Sequence, residues 1–340
     1  MALQSTMFNF VKTAAYKHFM KKLILNIIFC FLSFATFATH NRAGEITYSQ
    51  ISELVYRITV TTFTNSAPGA ADRPILEIQF GDGTSDTVAR IEEIYLPGYY
   101  KKNTYIEIHS FPGPGEYDIV VEDPNRNEGV LNIPNSVTVP FSIKTVLKIS
   151  PSLGINNTPI LLNPPIDKAA LGHRFIHNPA AFDPDGDSLS YKLTVCTGLN
   201  GERIPGYTFP EASNALYVDE ISGDLIWDSP VNTGIYNVAM LIEEWRNGIR
   251  IGKITRDMQI EVYDAENTPP EIDVLNNFCV TANTNLEFNV SATDNEGDLI
   301  TLTAASGVFE IANPAEFQEK TATATVTSTF TWQTNCTNVR

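Results

Sequence analysis

Apolar and polar side chains alternate at every second position in this chain from Glu45 onward. An extended strand points successive side chains to opposite faces, so the alternation predicts strands that bury one face. Clear cases span residues 56–60, 76–80 and 117–121. No later stretch keeps the repeat of an amphipathic helix, and the 20 prolines and 20 glycines recur at turn spacing. The predicted class is all-β, built as serial sandwiches of about 100 residues.

Two acidic turns repeat along the chain. The first acidic turn reads Asp183-Pro184-Asp185-Gly186-Asp187, and the second acidic turn reads Asp294-Asn295-Glu296-Gly297-Asp298. Each sets three carboxylates around a glycine, a pattern that suits calcium, which takes about six to eight oxygen ligands. The same residue types also build an ordinary solvated turn. An EF-hand is excluded, because its sixth and twelfth positions would be Ser188 and Thr194. The metal interpretation takes as ligands Asp183, Asp185, Asp187, Asp294, Glu296 and Asp298.

The amino-terminal stretch has the pattern of a secretory signal peptide. Lys21 and Lys22 precede an apolar run over residues 23–37, and Ala38-Thr39-His40 supplies a small-residue exit. We predict a start at Met20, an upstream extension plus leader over residues 1–38, and a mature chain that begins near Thr39. The alternative, a membrane anchor, needs about 20 apolar residues, and this run is shorter. The protein is expected outside the cell, either secreted or at the cell surface, without a transmembrane segment beyond the leader.

The net charge indicates which partners are disfavoured, and the cysteine content indicates whether a disulfide bond can form. A formal charge of -16 and a pI of about 4.7 argue against nucleic acid, which selects basic patches. Without the leader, three cysteines remain. Cys279 and Cys336 fall in the same predicted unit, and their spacing permits a disulfide bond without requiring one. Cys196 is expected on a strand as a small buried apolar residue.

The region from residue 40 to 150 carries two marks in order. Ile78-Gln79-Phe80-Gly81-Asp82-Gly83-Thr84 comes first, and His109-Ser110-Phe111-Pro112-Gly113 with Tyr117-Asp118-Ile119-Val120-Val121 follows. This order resembles the polycystic-kidney-disease (PKD) type of immunoglobulin-like domain, although Ile78 stands where that family often has Trp. The resemblance implies an immunoglobulin-like sandwich. Gly81 and Gly83 permit positive φ and Asp82 bonds its own turn, so we expect a structural role for this motif.

Residues 151–264 carry a second set of landmarks. After the first acidic turn come Gly223-Asp224-Leu225-Ile226-Trp227, then Gly234-Ile235-Tyr236-Asn237-Val238, and finally Gln259-Ile260-Glu261-Val262. The order resembles the dystroglycan-type cadherin-like domains of bacterial surface proteins. Where that family often has Asp-Gly, this chain reads Glu243-Glu244-Trp245. Glu243 is therefore taken as a further metal ligand, with Glu244 as the alternative from the same pair.

Residues 265–340 form a weaker copy of the second unit. Asn267-Thr268-Pro269-Pro270 opens the copy, the second acidic turn follows, and Phe330-Thr331-Trp332 matches Leu225-Ile226-Trp227. The second unit continues for about 37 residues after its Trp, whereas the copy continues for eight. We expect an incomplete third sandwich with an unpaired edge, either loosely ordered or part of a longer polypeptide.

Motifs of catalysis are few, and exposed aromatic residues offer another kind of site. Gly-x-Ser-x-Gly, His-Glu-x-x-His and Gly-rich phosphate loops are absent from the sequence. Tyrosines cluster around Pro97-Gly98, and Trp245 is predicted in a hairpin loop, so these rings either stack on a glycan or pack under a loop. The tyrosines are Tyr95, Tyr99, Tyr100 and Tyr105.

Taken together, these features favour a non-enzymatic secreted or cell-surface protein made of tandem immunoglobulin-like sandwiches. Its expected roles are adhesion or structural spacing, with calcium stiffening the acidic turns and an unidentified protein or glycan as surface ligand. The opening His40-Asn41-Arg42-Ala43-Gly44 and the domain order resemble large surface proteins of Bacteroidota. That resemblance implies a gliding-motility-associated or type IX secretion sorting domain in the parent chain. The alternative is a glycan-binding accessory region of an extracellular hydrolase.

Overall fold

The computed structural model describes residues 41–68, 70, 72–274 and 279–336. The predicted start at Met20 and the leader over residues 1–38 lie outside them. The described residues contain strands and three short 3-10 turns, which confirms the all-β class. None of their helices is long and apolar enough to cross a membrane.

The strands are described in three groups along the chain, called the first, second and third units. The first unit comprises β1 (Asn41–Ser52), β2 (Val55–Asn65), β3 (Ile75–Gln79), β4 (Ser85–Leu96), β5 (Tyr100–Ser110), β6 (Gly115–Asp123) and β7 (Phe141–Ile149). The second unit comprises β8 (Ile160–Leu161), β9 (Ile166–Ala170), β10 (Arg174–His177), β11 (Ala181–Phe182), β12 (Ser188–Thr194), β13 (Ala212–Val218), β14 (Leu225–Pro230), β15 (Gly234–Arg246) and β16 (Ile249–Tyr263). The third unit comprises β17 (Glu271–Asp273), β18 (Asn285–Thr293), β19 (Leu299–Leu302), β20 (Glu316–Phe317), β21 (Lys320–Thr323) and β22 (Thr325–Gln333).

One hydrogen-bonded sheet runs through the first two units. Its order is β1-β2-β5-β4-β3-β6-β7-β16-β15-β12, and β9 joins it by pairing with β16. Strand β16 of the second unit pairs with β7 over Gly252–Ile254 and also meets β1 at Gly44 opposite Asp257. The first two sandwiches are therefore joined through backbone hydrogen bonds as well as through the linker.

The first unit packs around alternating apolar residues of all seven strands. Gly81 is required at its turn, because its φ is +79° and an added β-carbon would lie 2.6 Å from the Asp118 backbone. Asp82 accepts the backbone amide of Thr84 at 2.9 Å and lies 2.8 Å from His109 Nε2. The His109 ring stacks on Phe80. These contacts give the Gly-Asp-Gly motif a structural role, as expected.

The second unit packs around Trp227, whose side chain is fully buried. The Trp227 indole N–H donates to the Glu211 carbonyl at 3.0 Å. The Tyr236 ring meets the indole edge to face, with centroids 5.1 Å apart. Inward-facing residues of β15 continue this core at Val238, Met240 and Ile242.

A buried polar network fixes the first unit to the second. Arg126, in the loop after β6, forms an ion pair with Asp257 on β16, with Nη2 2.6 Å from Oδ2, and both side chains are at most 1% exposed. Asn132 donates to the Asn237 carbonyl at 2.7 Å and accepts the Asn237 N–H at 3.0 Å. Removing one member would leave a buried charge or amide unpaired, which is costly.

The third unit has a smaller core than the other two. A four-stranded sheet, β17-β18-β22-β20, and a two-stranded sheet, β19-β21, enclose four buried apolar residues. These are Ala292, Ile300, Leu302 and Val326.

Candidate metal centre

The first acidic turn brings its three carboxylates together. Asp183, Asp185 and Asp187 each offer one oxygen atom, and these atoms lie within 4.8 Å of one another. The Asp183 Oδ1 accepts the backbone N–H groups of Asp185 and Asp187, both at 2.9 Å, which closes the loop around Gly186. The other oxygen, Asp183 Oδ2, is buried and has no hydrogen-bond partner. Such an oxygen needs a cation or a proton to offset its lost hydration.

Glu244 on β15 lies near enough to this turn for its charge to interact with the three aspartates, although it falls outside the 4.8 Å group that they form. Glu244 is 1% exposed, and neither carboxylate oxygen forms a hydrogen bond of good geometry, although the Asn156 side chain lies close enough to favour the ionised form. Glu244 lies opposite Gly252 in the β15–β16 ladder. A β-carbon added at Gly252 would lie 2.7 Å from Glu244 Oε2 and 3.1 Å from the Tyr48 hydroxyl oxygen. Glycine at position 252 thus leaves room for the carboxylate beside the first unit.

Two carboxyl groups at the first acidic turn, those of Glu244 and Asp183, keep their protons to a higher pH than Glu and Asp ordinarily do. Burial, followed by the charges of Asp183, Asp187 and Asp185, raises the pKa of Glu244 to about 9. Burial, with the neighbouring charges of Asp187 and Asp185, raises the pKa of Asp183 to about 6. At neutral pH and without a bound cation, Glu244 is therefore a neutral carboxylic acid.

Arg246 joins the turn to the linker between the first two units. Its guanidinium donates to Asp187 from Nε at 2.8 Å and from Nη2 at 2.5 Å. From the same group, Nη1 donates to the backbone carbonyls of Leu153 at 2.5 Å and Ile155 at 2.9 Å. A charged fork that meets a carboxylate with two bonds fixes both partners in orientation. Arg246 thereby joins the linker to the end of β15 through hydrogen bonds.

The linker also connects the turn to β1. The Asn157 backbone N–H donates to Asp185 at 2.7 Å, and the Asn157 side-chain oxygen accepts the Gln50 backbone N–H at 2.9 Å. The next residue, Thr158, donates its N–H to the Tyr48 carbonyl, and its hydroxyl oxygen accepts the Tyr48 N–H, both at 3.0 Å. The turn, linker and first unit thus form one continuous set of hydrogen bonds.

The second acidic turn repeats the loop with fewer charged neighbours. The Asp298 N–H donates to Asp294 Oδ1 at 2.8 Å, as in the first turn. Glu296 accepts from the Thr268 hydroxyl at 2.8 Å, and Asp298 accepts from the Asn267 amide at 2.6 Å. Among the described residues, only the first turn gathers three metal-ligating side chains. The structure therefore does not bring Asp294, Glu296 and Asp298 together as it does the first three.

The choice of Glu243 as ligand needs correction. Its carboxylate pairs with Lys192 Nζ at 2.8 Å and Arg250 Nη1 at 3.2 Å, away from the acidic turn. Burial opposes ionisation of Glu243, but these two cations outweigh it and hold its pKa below the ordinary value. The signal was the strand period: core residues of β15 occupy even positions through Ile242, so Glu244 continues that row and Glu243 points to the opposite face, where it is also buried. No comparable signal in the sequence pointed to Arg246.

The aromatic candidates separate into exposed and buried rings. Tyr95 and Tyr99 are 67% and 64% exposed, whereas Tyr100 and Tyr105 are buried. Trp245 is half-buried on β15, where its indole N–H donates to the Ser190 hydroxyl at 2.9 Å. Only two of the five rings are thus free to meet a ligand from solvent.

The three cysteines outside the leader are free thiols in the structure. Cys196 is fully buried, as expected, and packs in an apolar cluster with Tyr207 and Ala239. Cys279 and Cys336 are both exposed, and Cys336 Sγ accepts from the Asn283 side-chain amide at 3.3 Å. The bridge between Cys279 and Cys336 is not formed here and stays a prediction for oxidising conditions.

Comparison with known proteins gives no family for this chain. No family model matches it, and no curated protein matches it. One solved structure that aligns with it is a crystal structure of Dpr2 Ig1–Ig2 in complex with DIP-Theta Ig1–Ig3. The alignment has 12% identity, covers 84% of this chain and 86% of the other, and has a TM-score of 0.15. That score is too low to carry an argument about this chain.

Proposed function

We propose that this chain is a non-enzymatic extracellular protein for adhesion or structural spacing, and that calcium at the first acidic turn stiffens the junction of its first two units. The observation that carries the proposal is Glu244, a buried carboxyl group without a well-formed hydrogen bond, whose pKa the charges of the three aspartates raise further. Calcium accepts such an all-oxygen set, in which carboxylates bind through one or both oxygens.

The proposed ligands are Asp183, Asp185, Asp187 and Glu244. Asp183 Oδ2 and both Glu244 oxygens form no hydrogen bond of good geometry that a bound ion would have to break. Asp185 and Asp187 already bind the linker through Asn157 and Arg246, so they connect the ion to the junction. Backbone carbonyls and water complete a calcium shell in many proteins.

Calcium binding at this turn displaces protons. Glu244 has a pKa of about 9 without the ion, so at pH 7 it must lose its proton to become a ligand. Calcium affinity is therefore expected to rise between pH 6 and pH 9. Calorimetry at pH 7 in two buffers of different ionisation enthalpy should show about one proton released for each calcium bound.

A calcium titration of the melting temperature tests the proposal. A ligand that binds only the folded state at a hundred times its Kd stabilises that state by about 2.7 kcal/mol. We expect a rise in melting temperature with calcium and a smaller rise with magnesium, which demands a tighter octahedral shell. Hydrogen exchange at residues 153–158 should slow when calcium binds.

Glu244→Gln and Glu243→Gln make a matched pair of variants. Both sit on β15, but only Glu244 interacts with the three aspartates of the turn, whereas Glu243 pairs with Lys192 and Arg250. Glu244→Gln should lose the calcium response, and Glu243→Gln should keep it. A wild-type chain that neither binds calcium nor melts higher in millimolar calcium would contradict the proposal, as would equal responses in the two variants.

The proposed location outside the cell rests on the leader pattern ahead of Thr39. The likeness of the opening segment to Bacteroidota surface proteins belongs to the same proposal. Detection of the chain in the medium or on intact cells, with cleavage near Thr39 by amino-terminal sequencing, would support both. Retention of the chain in the cytoplasm would contradict the location.

A glycan-binding role is the second candidate, and the exposed pair Tyr95 and Tyr99 favours it. These rings flank the β4–β5 turn and are 67% and 64% exposed. Flat exposed aromatic rings offer the faces on which sugars stack. A glycan array should then show binding that Tyr95→Ala with Tyr99→Ala abolishes. A blank array with the wild-type chain would remove this candidate.

A further inference from the structure

Lys253 on β16 is half-buried and forms no ion pair or hydrogen bond with the residues that the structure describes. It lies opposite Glu243 of β15 on one side and opposite Val146 of β7 on the other. Two further cations, Lys144 of β7 and Arg250 of β16, are close enough for their charges to act on it. We call Lys253, Lys144 and Arg250 the Lys253 patch. The patch gathers three cations on a chain whose net charge is -16.

The carboxylates nearest to the Lys253 patch are bound to its other two members. Asp118 Oδ2 lies 3.0 Å from Lys144 Nζ, and Glu243 Oε1 lies 3.2 Å from Arg250 Nη1. The other Glu243 oxygen pairs with a lysine of β12 at 2.8 Å. Both carboxylates therefore have partners already, and in the described part of the chain no carboxylate pairs with Lys253.

The neighbouring charges place the Lys253 ammonium group in positive surroundings. Burial, followed by the charges of Lys144 and Arg250, lowers the pKa of Lys253, and the opposing effects of Asp118 and Glu243 are smaller. Like charges that folding brings together without a counterion repel one another. Ionisable groups that are perturbed by burial and by neighbouring charge are common at functional sites. A bound anion would offset both the repulsion and the burial of this cation.

The Lys253 patch lies where the strands are paired on both sides. Strand β16 runs between β15 and β7 here, and Lys253 is in register with both. A peptide that binds by strand addition needs a free edge, which this part of the sheet does not offer. A ligand at the patch must therefore meet side chains. Because Lys144 belongs to the first unit and Lys253 to the second, the patch exists only where one sheet joins the two units.

We infer that the Lys253 patch binds a doubly charged oxyanion, a phosphate or sulfate group, across the junction of the first two units. A lysine carries three N–H donors and an arginine five, so Lys144 and Arg250 keep free donors beside their ion pairs. A tetrahedral oxyanion has enough oxygens to accept from all three cations at once, whereas a carboxylate has two. This inference goes beyond the proposed function and does not rest on calcium.

Calorimetric titration with inorganic phosphate and with inorganic sulfate provides the first test. The full chain is used at pH 8, in a chelating buffer and at constant ionic strength. We expect each ion to bind with a Kd of about 1 mM, at the weak end of the affinity scale. Acetate carries a single charge and should bind at least about tenfold more weakly.

Lys253→Met tests the central contact, because methionine keeps an unbranched stem and removes only the charge. Phosphate binding should weaken at least about tenfold. Without phosphate, the melting temperature of the variant should equal or exceed that of the wild type, since the removed cation is repelled by its neighbours. Lys168→Met is the matched control: Lys168 is 58% exposed and pairs with Glu261 at 3.6 Å, on β9. The control should bind phosphate as the wild type does.

Asp118→Asn tests the charge balance of the patch in the opposite direction. The Asp118 side chain is 53% exposed, and its loss frees the Lys144 ammonium group. Phosphate binding should tighten about threefold, a small gain because exposed ion pairs are weak. A row of lysines that serves only to meet solvent would show no such gain.

Acetylation with acetic anhydride, read by mass spectrometry of peptides, locates the site. At a phosphate concentration ten times the Kd, Lys253 should react about tenfold more slowly, because a bound anion holds its proton. Lys168 should react at an unchanged rate.

Dextran sulfate and neutral dextran identify the source of the anion. Binding of dextran sulfate alone, lost in Lys253→Met, would assign the patch to sulfate esters on a polymer, whereas binding of the inorganic ions alone would assign it to the free oxyanion. Four results would overturn the inference: no binding of phosphate or sulfate, full binding in Lys253→Met, equal protection of Lys253 and Lys168, or acetate binding as tight as that of phosphate.

Discussion

Trp227 and Trp332 donate the same hydrogen bond to a backbone carbonyl, yet one is fully buried and the other half-buried. The difference comes from β15, which lies over Trp227 and has no described counterpart over Trp332. The tryptophan strand therefore builds the same local structure in both units. Its contribution to stability depends on a strand that comes later in the chain.

The two acidic turns differ in a similar way. Each closes by a backbone N–H that donates to its first aspartate. Only the first turn meets a buried carboxylate and a guanidinium from a neighbouring strand, at Glu244 and Arg246. The turn motif thus specifies a loop, whereas its chemistry is set by the strand beside it.

Replacing each tryptophan measures the effect of β15, and the largest effect is expected here. Trp227→Ala removes a fully buried ring and should cost about 3–5 kcal/mol of unfolding free energy. Trp332→Ala removes a half-buried ring and should cost about 1–2 kcal/mol. Denaturant unfolding read by hydrogen exchange at β14 and β22 would separate the two, because the chain need not unfold in one step. Equal losses would contradict the comparison.

The pH dependence of stability sharpens the comparison of the acidic turns. Glu244 has a folded pKa of about 9 against an ordinary value of 4.5, so the folded state holds a proton that the unfolded state loses. Without calcium, the contribution of this group to stability should be greatest below about pH 4.5 and fall between pH 5 and pH 9, by up to about 1.4 kcal/mol per pH unit.

Glu244→Gln should remove that slope, so the variant is expected to gain stability relative to wild type as pH rises, in the absence of calcium. Thermal unfolding at several pH values in a chelating buffer measures the difference. Glu243→Gln serves as control, because Glu243 forms ion pairs and its pKa is lowered. A wild-type slope that survives in Glu244→Gln would assign it to another group.

The smallest effect is expected at the glycines shared by both turns. Gly186 and Gly297 both have φ +83°, and an added β-carbon at either would meet no atom within 4 Å. Gly186→Ala and Gly297→Ala should each cost about 1–2 kcal/mol, since the strain lies in the backbone alone. Chemical denaturation of the two variants tests this. A clearly larger loss at Gly186 in calcium would show that the ion depends on the loop conformation.

Features that depend on near neighbours in the chain could be predicted from the sequence. The alternation over residues 56–60 and 117–121 predicted strands that the structure contains, and Gly81 and Asp82 were identified as a structural turn. Each of these follows from local geometry.

The candidate site was only half predictable. The three aspartates follow one another along the chain, but Glu244 lies about 60 residues later and reaches them through strand pairing. The period of β15 separates Glu244 from Glu243, but the prediction from the sequence took Glu243. The tyrosines around Gly98 divided into buried and exposed rings because pairing with neighbouring strands decided which faces were covered.

The sequence by itself determined the all-β class and the two acidic turns, because strand period and turn chemistry act over a few residues. The tertiary structure decided that one sheet joins the first two units, that Glu244 faces the first acidic turn, and that Trp332 borders an open groove. These outcomes depend on pairings between strands far apart in the chain, and the residues of one strand do not specify which partner covers them.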